Sequence, residues 1–218
     1  MENNASTRFC IVRHGETDWN ARQRMQGHKN LPLNPEGIRQ SWKLCRYFTK
    51  RTIDVIYSSD LMRAHHTAIP ISETLKLPIN LLPQLRERNY GRCEGMTRSE
   101  AASLYPEDAR ALHERNSGYV IPGGGESLEQ HQRRILDCIE ELAGRHAGQN
   151  ILLVTHGGVL DIIYRRVSGM ALENPRDFPI PNAGINWLVI NGAHWRITQW
   201  AETSCLQPSP SAETDVYF

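Results

Sequence analysis

The sequence predicts an α/β fold, a three-layer α/β/α sandwich around a mostly parallel central sheet. Three observations point there. Runs such as FCIV, DVIYSS and NILLVT are apolar almost without interruption, as strands buried on both faces are. Stretches with helical periodicity alternate with them, and that alternation builds parallel sheets covered by helices on both sides. The chain has 218 residues and no internal repeat, which fits one domain over 1–218 with a folded core at about 7–202.

Along the chain, TRFCIV (7–12) reads as the first buried strand. In LNPEGIRQSWKLCRYFTK, Asn34 caps a helix and Pro35 takes its first position, while Ile38, Trp42, Cys45 and Phe48 mark the face expected to be buried. DVIYSS (54–59) is the second strand. A helix is expected from near Asp60, with Pro70 ending or kinking it. INLLPQL reads as a short extended piece, and one helix is expected near 98–115 before the glycine loop PGGGES. Ser127 and Gln130 form a capping box ahead of a helix expected to bury Ile135, Cys138, Ile139 and Leu142. NILLVT (150–155) is the next strand and VLDIIYRRVSG its following helix. INWLVI and HWRITQW flank Asn191-Gly192, a hairpin signal. Residues 203–218, polar and rich in Pro and Ser, read as disordered.

Charge narrows the partners. With 25 basic and 24 acidic residues and a net charge of +1, nothing favours nucleic acid or an anionic membrane. No run approaches the ~18 apolar residues of a membrane span, and the opening MENNASTRFC has no apolar signal-peptide core. Five cysteines, scattered and odd in number, read as reduced thiols. The expectation is a cytoplasmic protein.

The residues just past the strand ends carry the chemistry. Arg13 and His14 come after FCIV, Asp60 and Arg63 after DVIYSS, and His156, Gly157 and Gly158 after NILLVT. In a parallel sheet those ends share one edge, where ligands bind. Two imidazoles and two guanidiniums brought together call for an anion, and a phosphate suits the arginine forks. Backbone N–H groups at the following helix starts would add partial positive charge.

IVRHGETDWN, YSSDLMRAHHTA, LRERNYGRCEG and LLVTHGGVL, in this order, resemble the histidine phosphatase superfamily, which includes the phosphoglycerate mutases; the likeness spans 7 to about 200. The resemblance implies a phosphoglycerate mutase-like fold and a phosphohistidine formed on His14, with Arg13, Arg63 and His156 holding the phosphoryl oxygens. It implies that a backbone carbonyl holds one ring nitrogen of His14, leaving the other free to attack. Asn20, Gln26, Gly27 and Gly157 would complete the phosphate pocket, and Tyr90 and Arg98 match substrate contacts. Glu87 would be the acid and base; Glu16 and Asp161 are rival carboxylates. No metal and no cofactor are implied. Dimers through a sheet edge are common among relatives, so a homodimer stays open.

Other chemistries fit less well. Cys45 and Arg51 have the spacing of a cysteine phosphatase, but sit in a helical pattern without glycines. His65 and His66 are adjacent, so on a helix they point apart instead of forming an i, i+4 ligand pair. No P-loop motif occurs, and PGGGES is not a nucleophile elbow. Within the family, mutases carry an insertion with paired arginines after the ERNYG stretch. Here 99–122 is short and has no Arg-Arg pair, while CEG at 93–95 and Gly158 look like the phosphatase branch. The expected function is a metal-independent histidine acid-type phosphatase acting on a small phosphorylated metabolite. A bisphosphoglycerate-dependent mutase and a non-catalytic phospho-ligand binder are the alternatives.

Overall fold

Successive residues of β1 (Thr7–Arg13) serve two cores. Phe9 and Ile11 pack on one face of the sheet, Cys10 and Val12 on the other. β4 (Asn150–Thr155) divides in the same way, with Ile151 and Leu153 opposite Leu152 and Val154. The computed structural model, which describes residues 5–207, places β1 and β4 side by side within a six-stranded sheet. Its other strands are β2 (Val55–Ser58), β3 (Ile79–Leu81), β5 (Ile185–Asn191) and β6 (His194–Glu202), in the order β3-β2-β4-β1-β5-β6. β3, β2, β4 and β1 run parallel, and β5 is antiparallel to both its neighbours. The hairpin at Asn191-Gly192 forms as expected, with Gly192 at φ 55°.

Helices cover both faces. α6 (Leu128–Arg145) and α7 (Gly157–Ser168) bury Ile135, Cys138, Ile139, Leu142 and Val159 on one side. α2 (Pro35–Phe48) and α3 (Met62–Leu75) bury Leu44, Phe48, Ala64, Ala68 and Ile71 on the other. A single turn, α1 (Asp18–Ala21), follows β1. α4 (Arg98–Leu104) and α5 (Pro106–His113) pack around Cys93, Ala101 and Ile121 in a small separate cluster. The caps at Asn34 and Ser127 act as their side chains suggest, on Gly37 N–H and Gln130 N–H. Among the described residues, no helix is long and apolar enough to cross a membrane.

Four expectations need correction. The buried face of α2 is Gly37, Ser41, Leu44, Cys45 and Phe48; Ile38 and Trp42 are 50% and 57% exposed. Gly37 sets this rotation, because it touches the backbone after His14 so closely that a Cβ would lie 2.1 Å from the Glu16 carbonyl oxygen. α3 begins at Met62, near Asp60 as expected, but buried Pro70 does not end it, and the helix runs on to Leu75. Packing of Ala64, Ala68 and Ile71 on both sides of the proline holds it there. The helix expected over 98–115 is two, since Tyr105, pushed out of helical geometry by the following proline, has φ −138°. Residues 203–207 are ordered: Ser204–Leu206 make a 3₁₀ turn against α2, and Lys43 Nζ donates to the Leu206 carbonyl at 2.6 Å. The rest of the tail expected to be disordered, 208–218, lies outside the described residues.

Candidate active site

The parallel register puts Arg13 beside Thr155 and Ser58 beside Val154, so the residues after β1, β2 and β4 leave one edge together. There the His14 and His156 rings stand 5.1 Å apart, centroid to centroid. His14 is buried and its Nδ1 lies 2.7 Å from the Gly15 carbonyl oxygen. That oxygen can only accept, so Nδ1 carries the proton and Nε2 keeps its lone pair. Burial, then the charges of Arg63 and Arg13, push the His14 pKa well below the usual histidine value. The result is a neutral ring whose Nε2 keeps a free lone pair.

His156 takes the same tautomer, protonated at Nδ1. Ser59 Oγ accepts from Leu61 N–H and lies 2.8 Å from His156 Nε2; among the described residues its hydroxyl hydrogen has no other acceptor, which assigns that hydrogen to Nε2. His156 Nδ1 is left as a buried donor without a partner. Arg63, fully buried on α3, spends Nη1 and Nη2 on the Lys29 and Gly27 carbonyls at 2.9 and 2.8 Å; its Nε has no partner. Burial lowers its pKa to about 10, and it stays charged. Arg13 likewise gives Nη1 to the Ile180 carbonyl and keeps an unpaired, buried Nε. Three buried donors without acceptors thus surround a neutral imidazole. Buried polar groups are otherwise almost always paired, and an anion is what would pair these.

The remaining expected residues fall at different distances from this centre. Gly157 opens α7, and a Cβ there would touch the Arg13 guanidinium at 3.5 Å. Gly27, at φ 52°, lends its carbonyl to Arg63, and buried Gln26 has an unpaired amide oxygen. Asn20 closes the capping box of α1 and accepts from Asn182 at 3.4 Å, while Asn182 also donates to the His14 carbonyl at 3.0 Å. The Tyr90 phenol, pushed up to about 12 by burial and by Glu87, is neutral. Arg98 is exposed at the start of α4 and makes no hydrogen bond or ion pair among the described residues.

Glu87 comes to the site across Gly158. Its Oε1 and Oε2 accept from Gly158 N–H at 3.1 and 3.0 Å, and Oε1 also from Arg88 N–H at 2.8 Å. The missing side chain of Gly158 makes this approach possible, because a Cβ would lie 2.0 Å from Glu87 Oε1. Its rivals are committed elsewhere. Glu16 accepts from Asn34, and Asp161 pairs with Arg115 and Arg165 at 2.7 and 3.0 Å. Arg92 is tied to Asp108. Among the described residues, no group of three or more His, Cys, Asp and Glu side chains is placed to hold a metal.

Sequence reasoning missed Ser59, Thr67 and Asn182. Thr67 accepts the Gly15 N–H at 2.9 Å and locks α3 to the loop after His14. Ser59 lies just past a strand end and was open to the same rule that found Arg63; Asn182 lies in 170–184, a segment without periodicity.

Known proteins resemble this chain in sequence and in fold. A profile of the histidine phosphatase superfamily (branch 1) matches residues 9–203. A metal-independent phosphoserine phosphatase of Arabidopsis thaliana is 37% identical over 202 residues, covering 92% of this chain and 83% of that protein. Among solved structures, Bacillus stearothermophilus YhfR superposes with a TM-score of 0.85 at 27% identity, covering 92% of this chain and all of that one. A phosphoserine phosphatase from Entamoeba histolytica, solved with 3-phosphoglyceric acid, gives 0.80 at 25% identity, with coverage of 92% and 100%.

Proposed function

The chain belongs to branch 1 of the histidine phosphatase superfamily, and on that premise we propose that it hydrolyses a small phosphomonoester through a phosphohistidine on His14. The observation that carries the reading is the ring of unpaired buried donors, Arg13 Nε, Arg63 Nε and His156 Nδ1, around a histidine whose Nδ1 is tied to the Gly15 carbonyl. His14 Nε2 attacks phosphorus in line with the leaving oxygen. The donors hold the three oxygens over which the transition state spreads its charge. Glu87 gives its proton to the departing alkoxide, then takes one from the water that attacks the N–P bond. Phosphate leaves, and His14 and Glu87 return to their starting states.

The same burial supports reading it as an acid-type enzyme. With their pKa values held down by burial, His14 and His156 stay neutral at lower pH than an exposed histidine does. The small helical segment supports a phosphatase over a mutase. α4 and α5 pack in their own cluster and are tied by the Arg92–Asp108 and Tyr119–Asp108 contacts. We infer that water reaches the phosphoenzyme. Phosphoserine is the first ester to test, given the relative named for it.

The deciding experiment supplies 3-phosphoglycerate with catalytic 2,3-bisphosphoglycerate, alongside a panel of phosphate esters that includes phosphoserine. Inorganic phosphate should be released from one of the esters, in the presence of chelator, faster than 2-phosphoglycerate is formed. Isomerisation faster than every hydrolysis would make it a mutase. Binding without turnover of any ester, p-nitrophenyl phosphate included, would make it a sensor.

A further inference from the structure

To deliver a proton, Glu87 must first hold one, and the O–H it then carries needs an acceptor. Every hydrogen bond to its carboxylate comes from a donor, Arg88 N–H or Gly158 N–H. Arg13 from β1 and Arg63 from α3 face it with positive charge, and Arg88 and Tyr90 flank it on its own loop. His28 Nε2 and Arg134 Nη2, from α6, bond its backbone carbonyl at 2.9 and 3.2 Å. A carboxylic acid needs an acceptor for its O–H, and none of the groups bonded to the Glu87 carboxylate is one.

His131 is the acceptor at hand. It sits on α6, 1% exposed, and its Nε2 has no hydrogen-bond partner. The adjoining ring carbon, Cε1, lies 2.9 Å from the point a Gly158 Cβ would occupy, and Glu87 Oε1 lies 2.0 Å from the same point. Carboxylate and imidazole therefore share the space above one glycine. Burial, with Arg134, Arg88 and His28 nearby, holds the His131 pKa well below the ordinary value. The ring is neutral, with one bare nitrogen.

We propose that His131 is a positioning residue for Glu87: its bare Nε2 accepts the O–H of protonated Glu87 and keeps the acid form populated until the leaving group departs. The inference rests on the phosphatase reading above. In the first step the Glu87 proton moves to the leaving oxygen as that oxygen's bond to phosphorus breaks and the His14 N–P bond forms. In the second, a proton of water moves to Glu87 as the water oxygen bonds phosphorus and the N–P bond breaks. His131 changes no proton in either step. It gives up a hydrogen bond and regains it.

The test compares wild type, His131→Leu and His131→Gln on an alkyl phosphate and on p-nitrophenyl phosphate across pH. Leucine removes the acceptor, and the glutamine carbonyl restores one. In the leucine variant the alkaline limb of kcat/KM for the alkyl ester should move down by about one pH unit, a loss of about tenfold on that limb. The alkyl ester should lose at least about five times more than the aryl ester, and glutamine should recover most of the difference. Equal losses on both esters with the limb unmoved, or a leucine variant as active as wild type on the alkyl ester, would overturn the assignment. Wild-type protein provides a second measurement that does not depend on the variants folding. Nitrogen-15 NMR at the working pH should find His131 protonated at Nδ1 and bare at Nε2; a proton on Nε2 would overturn it equally. Failure of wild type to hydrolyse either ester would refute the phosphatase reading, and the tautomer would still decide the placement of His131.

Discussion

Gly158→Ala isolates the position of Glu87 from its chemistry. The new Cβ would stand 2.0 Å from Glu87 Oε1 and 2.9 Å from His131 Cε1. Ordinary contact begins near 3.4 Å, so the carboxylate must retreat by roughly 1.4 Å and lose both bonds from the Gly158 N–H. The carboxylate can do so cheaply, as the end of a flexible side chain, while the buried His131 ring, 2.9 Å from the new Cβ, must also shift slightly. A displacement of about 1 Å at a catalytic group costs roughly 10²-fold. Turnover of an alkyl phosphate should therefore fall about 10²-fold, whereas p-nitrophenyl phosphate, whose phenolate leaves with little acid help, should fall by less than about tenfold. The fold should survive. Gly158 lies in the first turn of α7 without a positive φ, and alanine there is favoured over glycine by roughly 0.5–1 kcal/mol, partly offsetting the lost bonds. Tm should shift by no more than about 4 °C. The assay is kcat for both esters beside a calorimetric melt. A folded variant with undiminished alkyl turnover would show that Glu87 does not work from its place above Gly158.

Glu87→Gln should reproduce the contrast, with an alkyl-ester loss of ~10²–10⁴ and a far smaller aryl loss; Glu16→Gln should show none, and steady-state rates on both esters decide. Asp161→Asn should leave the alkyl-to-aryl ratio intact but cost about 3–5 kcal/mol in urea unfolding, because the wholly buried Arg165 loses its counter-charge. Stability should also depend on pH through three buried rings. His14, His131 and His156 all have pKa values lowered in the fold, so the unfolded chain binds more protons below about 6.5. Their contribution is complete above that pH and is lost as pH falls through the window beneath it. Urea midpoints in phosphate-free buffer should drop from pH 7 to pH 5, and a flat profile would mean that the rings are not held neutral.

Local signals in the sequence were enough for most of the architecture. Asn34 with Pro35, Ser127 with Gln130, and Asn191-Gly192 each act within four residues, so their effects hold whatever packs around them. The grouping of Arg13, His14, Arg63 and His156 was equally legible, because it needs only parallel strands and their ends. What failed depends on distant contacts. The rotation of α2 is set by Gly37 meeting the backbone of Gly15 and Glu16, and no periodicity reports which residue a helix presents to a loop. The place of Ser204–Leu206 depends on α2, more than 150 residues earlier. His156 and Ser59 are 97 residues apart, and Asn182 reaches His14 across 168. His131 read as part of a helix, and its neighbourhood with Glu87 exists through Gly158 alone.

The most direct measurement is the covalent state of the enzyme during turnover. Rapid mixing with excess ester, a millisecond alkaline quench and peptide mass mapping should find phosphate on the His14 imidazole. That label should appear at least as fast as turnover and decay to inorganic phosphate at a rate that accounts for kcat. His14→Ala should carry no acid-labile label and release no phosphate. A label on any other residue, or an unlabelled wild-type enzyme that still turns over while a label stable for many turnovers would have been seen, would contradict a phosphohistidine on His14.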